Sequence, residues 1–71
     1  MSKDILAPMP GTIVEILVSE GETVEEMQEL IVLEAMKMEN AISATAAGTV
    51  KSVSVAVGDK VAVEQVLVVI E

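Results

Sequence analysis

Seventy-one residues with a formal charge of −8, neither Cys nor His, and no Phe, Trp or Tyr rule out several function classes at once. The length holds one small domain over 1–71 with a single core, and the missing residue types exclude Cys₄ and Cys₂His₂ zinc sites, imidazole acid–base chemistry and Cys or Ser–His nucleophiles. Four lysines, no arginine and no aromatic platform disfavour nucleic acid and anionic membranes; the acidic balance suits partners with basic surfaces, or simply keeps a chain that is 52% apolar in solution.

Val, Ile and Thr make up about a third of the chain, which favours strands over helices. Met1-Ser2-Lys3-Asp4 lacks the apolar stretch of a secretion signal. No apolar run approaches the roughly 20 residues of a membrane-spanning helix, so a soluble chain is expected. Asp4–Ala7 reads as a short strand, broken by Pro8-Met9-Pro10-Gly11, because two prolines cannot donate into a ladder. Thr12–Val18 is a half-buried strand. Ser19-Glu20-Gly21-Glu22 is a turn with Gly21 at positive φ. Within Thr23–Glu29 a single helical turn cannot stand alone, so a solvated loop is expected. Leu30–Leu33 is a buried strand run that can extend to Ala35, and Met38–Ala44 is its partner. Ala46-Ala47-Gly48 turns, Thr49–Val55 alternates Val53 and Val55 with Ser52 and Ser54, Val57-Gly58-Asp59-Lys60 turns, and Val66–Ile70 closes the chain.

A shift of 37 residues aligns segment 5–34 with segment 42–71 without a gap. Ile5 falls on Ile42, Ala7 on Ala44, Gly11-Thr12 on Gly48-Thr49, Val18 on Val55, Gly21 on Gly58 and Val24 on Val61. Gln28 falls on Gln65, Leu30 on Leu67, Val32 on Val69 and Glu34 on Glu71. These are eleven identities in thirty positions, where ordinary residue frequencies give about two. Two similar β units therefore share one core about a pseudo-two-fold axis, since neither can bury its apolar face alone. If the link between the halves is a hairpin, Glu34 neighbours Ile42, and by symmetry Glu71 neighbours Ile5. The ends of the chain then lie together, with Lys37 pointing away from them.

The link is Glu34-Ala35-Met36-Lys37-Met38-Glu39-Asn40. Lys37 is the only cation between Lys3 and Lys51. A two-residue loop of Met36-Lys37 is the natural connection, yet such loops want φ > 0 and hence Asn or Gly. Met and Lys there cost roughly 1 kcal/mol or more each. Either the turn is strained, which marks a candidate functional site, or it is longer and unstrained. A lone surface lysine is equally compatible with a solvated side chain of no function. Met36 and Met38 read as core filler or, beyond the core at a hairpin tip, as an adaptable contact surface.

Ala35-Met36-Lys37-Met38, flanked by Glu34 and Glu39, resembles the attachment motif of biotin carrier domains. Ala7-Pro8-Met9-Pro10-Gly11-Thr12 resembles the segment that opens those domains. Glu20-Gly21-Glu22-Thr23-Val24 and Val57-Gly58-Asp59-Lys60-Val61 resemble their two repeat turns. The resemblance covers nearly the whole chain. It implies an all-β fold, a flattened β-barrel (barrel-sandwich hybrid) of two four-stranded antiparallel sheets. It also implies biotin held covalently on Lys37, with Ala35, Met36 and Met38 beside the cofactor. Glu34 and Glu39 would serve partner recognition, Glu34 towards biotin protein ligase, while Met36 and Met38 would contact the later partners, biotin carboxylase and carboxyltransferase. The carrier itself would make no bonds, and the setting would be the cytoplasm, or the mitochondrial matrix in a larger eukaryotic carboxylase. Two features depart from the usual pattern: Met27 and Glu64 stand where a Gly commonly precedes the Gln of each half, and no protruding thumb is present. Two alternatives share this shape. One is a lipoyl carrier of a 2-oxoacid dehydrogenase complex, which usually has Asp before the lysine and Ala after it. The other is an unmodified barrel that serves only as a structural or docking module.

Overall fold

Alternating and β-branched segments this short can bury their apolar faces only against one another. The computed structural model, which describes residues 3–71 and leaves Met1 and Ser2 of the chain opening outside the described residues, shows how. Its strands are β1 (Lys3–Leu6), β2 (Gly11–Ile16), β3 (Thr23–Val24), β4 (Glu29–Ala35), β5 (Met38–Ser43), β6 (Gly48–Val53), β7 (Lys60–Val61) and β8 (Val66–Ile70). They form two four-stranded antiparallel sheets, ordered β1-β8-β6-β3 and β5-β4-β2-β7. Together the sheets make a flattened, barrel-like sandwich with no helix among the described residues.

The pseudo-two-fold symmetry holds residue by residue. Ile5 pairs with Val68 as Ile42 pairs with Ile31, and Gly11 pairs with Val61 as Gly48 pairs with Val24. Ile13 faces Leu33 as Val50 faces Ile70, and both of these ladders shift register within the next two residues. The buried apolar residues among those described form pairs 37 positions apart: Ile5/Ile42, Ala7/Ala44, Ile13/Val50, Val18/Val55, Val24/Val61, Leu30/Leu67, Ile31/Val68 and Leu33/Ile70. Among the described residues no polar side chain is buried with them, so burial and backbone ladders carry the stability. A fully buried Leu or Ile contributes about 1.5–3 kcal/mol.

Three expectations need correction. The loop expected over Thr23–Glu29 contains β3, and Val24 within it is buried; Lys60, placed in a turn, opens β7. Two-residue strands show no periodicity and exist here only because β6 and β2 offer edges to pair with. Likewise Gly48, expected in a turn, opens β6 because it pairs with Val24 of β3; a Cβ there would lie 2.7 Å from the Ile70 side chain and 2.8 Å from the Glu71 carbonyl oxygen. Strand ends elsewhere differ from expectation by one or two residues, with Thr12–Val18 realised as Gly11–Ile16 and Thr49–Val55 as Gly48–Val53.

The molecule is elongated, 32 × 17 × 17 Å. Met9, just past β1, receives the Asn40 Nδ2 donor on its Sδ at 4.0 Å, so β1 ends beside the base of the β4–β5 hairpin. Lys3 opens β1 at its far end, roughly 10 Å from Leu6 at about 3.3 Å per residue, where it pairs with Ile70. The hairpin and the paired ends of the chain therefore occupy opposite poles. Segment 61–65 crosses between the sheets at the hairpin pole, with the Glu64 N–H donating to the Ala7 carbonyl at 2.7 Å. Its symmetry mate, 24–28, crosses at the other pole, where the Met27 N–H donates to Ala44.

Four turns of one kind join these pieces. Ser19–Glu22 and Ala56–Asp59 place Gly21 (φ 87°) and Gly58 (φ 95°) third, and Glu25–Gln28 and Ala62–Gln65 place Met27 (φ 74°) and Glu64 (φ 66°) third. Side-chain oxygens of Glu22, Asp59, Gln28 and Gln65 each accept the N–H of the first turn residue at 2.9–3.2 Å. Positive φ costs a non-Gly residue about 1–2 kcal/mol. Met27→Gly and Glu64→Gly are therefore expected to stabilise the fold, net of the extra unfolded-state entropy of Gly, by roughly 0.5–1 kcal/mol each. Chemical denaturation of the single and double variants measures this, and a loss of stability would refute the strain argument.

Candidate functional site

The hairpin between the two halves is set by its buried positions. Leu33 and Ile31 of β4 and Ile42 of β5 point into the core, and the register they fix runs Ile31↔Ile42, Leu33↔Asn40, Glu34↔Glu39 and Ala35↔Met38. Only Met36 and Lys37 remain to close the turn. Both adopt positive φ, 54° and 65°, the pattern of a type I′ turn. The strained two-residue loop is therefore the one present, at a cost of about 1–2 kcal/mol for each residue.

Beyond the last core residue the side chains face solvent. Lys37 is exposed and forms no ion pair with a described residue. Met36 is 93% exposed and Met38 65% exposed, so neither fills the core. Ala35 is half-buried at the neck of the hairpin. Glu34 and Glu39 are exposed and directly opposite one another, a pairing of like charges that works against the ladder. Thr12 flanks Glu34 on its other side, and Lys60 follows Thr12. The hairpin pole thus presents the Lys37 amine at its tip, two thioethers and a carboxylate pair on a stiff support, with the exposed Lys60 further back on β7. Among the described residues no cluster of acidic side chains could hold a metal ion.

Three residues that secure the hairpin had no assigned role in the sequence. A Cβ on Gly11 would overlap the Glu34 carbonyl oxygen and lie 3.0 Å from Leu33 Cδ1, so only Gly lets β2 pack against the hairpin base. The equivalence of Gly11 with Gly48 was the available signal. Asn40 Nδ2 lies 3.4 Å from the Met38 carbonyl and 4.0 Å from Met9 Sδ, tying the hairpin to the loop before β2. Met9 carried no such signal, because the contact spans 31 positions of chain.

An amine at the end of a four-carbon stem, with no ion-pair partner among the described residues and no wall around it, is open to acylation by another protein. Known proteins agree with this geometry. The chain is 58% identical over 55 residues to the biotin carboxyl carrier protein of Streptococcus mutans, covering 78% of this chain and 42% of that protein. It is 46% identical over 70 residues to the human mitochondrial propionyl-CoA carboxylase alpha chain, covering 99% of this chain and 10% of that one. The urea carboxylase of Kluyveromyces lactis superimposes with a TM-score of 0.95 at 27% identity, over 100% of this chain and 6% of its own. The chain thus spans less than half the length of these relatives. Residues 3–70 match the biotin/lipoyl family described as biotin-requiring enzyme, and the chain belongs to that family.

Proposed function

We propose that this chain is a biotin carboxyl carrier domain, that residues 1–71 form one biotinyl-type unit with halves at about 5–34 and 42–71, and that Lys37 is the attachment point. The observation that carries the reading is the exposed amine on a rigid, strained turn at the pole opposite the chain ends, in a chain of this family. The site fits the group: an amide bond to Lys37 needs an accessible amine, and nothing in the fold blocks it.

Attachment requires an activated biotinyl carboxyl supplied by biotin protein ligase. An ammonium is not a nucleophile, so the ligase must first accept a proton from Lys37. The neutral amine then attacks the acyl carbon. The new C–N bond forms, the bond to the leaving group breaks and takes its electron pair, and a second proton leaves the nitrogen. This chain supplies position: the β4–β5 register holds the nitrogen's anchor still, so little loop entropy is lost on docking. Bound biotin supplies a ureido nitrogen that accepts and gives up a carboxyl group. The domain carries that nitrogen between a biotin carboxylase and a carboxyltransferase, raising its effective concentration at both. Met36 and Met38 offer soft contacts adaptable to more than one partner, with Ala35 at the neck and Glu34 and Glu39 towards partner recognition, Glu34 for the ligase. Relatives named as mitochondrial and as bacterial proteins support the mitochondrial matrix or the cytoplasm as the setting.

Co-expression with biotin protein ligase followed by intact-mass measurement tests the reading. A biotin-sized increment lost in Lys37→Arg is expected, with stability changed by no more than about 0.5 kcal/mol. A lipoyl-sized increment, no increment, or streptavidin capture of the Arg variant would sink it. Replacing the turn by Asn-Gly (Met36→Asn with Lys37→Gly) is expected to raise stability by roughly 1–2 kcal/mol, since I′ geometry then carries no strain, while abolishing attachment; unchanged stability in urea would contradict the strain at this turn. Met38→Ala is expected to accept biotin normally but slow carboxyl transfer in a reconstituted carboxylase, and normal turnover would remove that role.

A further inference from the structure

The two halves share a backbone but not a surface, and each half places its turns at a different pole. The first-half turns carry Glu20, Glu25 and Glu26, all exposed, at the pole of the chain ends. Their symmetry mates at the Lys37 pole are Val57, Ala62 and Val63. Val57 is 63% exposed and Val63 is 55% exposed. The fold does not need apolar residues there, because the same turns are built with glutamates in the other half. Two exchanges run the other way, Met27 against Glu64 and Thr23 against Lys60, and Asp59 is exposed beside them as its mate Glu22 is at the far pole. Pro8 and Pro10, both exposed, extend the apolar cap, where the mates are Thr45 and Ala47. Isolated surface valines are ordinary, but apolar residues gathered at the pole that bears the amine mark a contact surface.

We propose that this cap, centred on Val57, Ala62 and Val63, is the docking surface for the enzyme that acylates Lys37. The inference rests on the carrier reading above. Reach selects the occupant. Before acylation the arm is only the lysine side chain, about 6 Å of four-carbon stem, so the acylating enzyme must close against the pole itself. Partners that act later meet a longer arm and can stand further off. The matching surface on that enzyme is apolar, around the mouth of the site that holds the activated biotinyl group. The acidic turns at the other pole face away from it and play no part in this encounter.

The symmetry supplies its own controls. Val57→Glu with Val63→Glu gives the cap the side chains that its mates already carry, so the backbone accommodates them. With purified biotin protein ligase, biotin and MgATP, the KM for this unmodified variant is expected to rise tenfold or more while kcat is unchanged. Val57→Gln with Val63→Gln is expected to raise KM in the same direction, since lost apolar contact, not charge alone, is the cause. Glu20→Val with Glu26→Val at the far pole is expected to leave KM within twofold. A KM within twofold of the parent for either cap variant, or an equal rise for the far-pole variant, overturns the proposal. Failure of the parent chain to accept biotin would instead overturn the carrier reading on which it rests.

Discussion

The register of the β4–β5 hairpin is the constraint from which the rest follows. Ile31 opposite Ile42, with Leu33 one step beyond towards the tip, is pinned by burial. A slip of one residue would turn these side chains to solvent and the glutamates inward. With the register fixed, Ala35 and Met38 face each other and two residues must close the turn. That arithmetic forces Met36 and Lys37 into left-handed backbone, and it holds the amine beyond every core contact. The unfavourable facing of Glu34 and Glu39 follows from the same register. The strain and the charge conflict are thus local to the hairpin tip, offset by burial elsewhere in the sheet.

The duplicated core and the unequal surface divide the work between them. Every buried apolar residue named above has a buried mate, because one packing solution serves both sheets. The exposed positions are free of that demand, so there the halves diverge. The link between the halves at one pole has no counterpart within the chain at the other, where Lys3 and Ile70 pair instead. A domain built this way is polar in the geometrical sense. One end can be tethered while the other presents an amine, and the 32 Å axis separates the two.

Much of this was legible in the sequence because the repeat reports on burial. Pairs such as Leu30/Leu67 and Val24/Val61 had to occupy equivalent places, and they do. The turns at Gly21 and Gly58 were legible because positive φ selects Gly. The third positions of the other two turns were marked only by the resemblance, which places a Gly there, because Met27 and Glu64 adopt the same backbone without it. They are held there by the Ala44 and Ala7 carbonyls and by Gln28 and Gln65, contacts that no local propensity reveals. β3 and β7 escaped for a related reason: their strand character belongs to the edges they meet, not to their own two residues. At the hairpin tip the two-residue turn was one of two readings open from spacing, and the backbone angles distinguish them. Gly11 under Glu34 and Asn40 against Met9 required coordinates, since each joins segments far apart in the chain.

Under the carrier function proposed above, the tip keeps Met-Lys, although Asn-Gly would relax it, because of what each position must then do. A lysine is needed for the amine, and Gly cannot supply one. Asn at position 36 would relieve strain, but its short polar side chain offers no soft apolar surface. Met offers three rotatable bonds and a polarisable sulfur at a place with no core to fill, which under the proposed carrier function serves contact rather than packing. A stiff β support with adaptable side chains at its end loses little entropy on meeting a partner and still fits partners of different shape. The roughly 2–4 kcal/mol of turn strain is tolerable because the hairpin is closed by its buried residues, and the turn has only to follow.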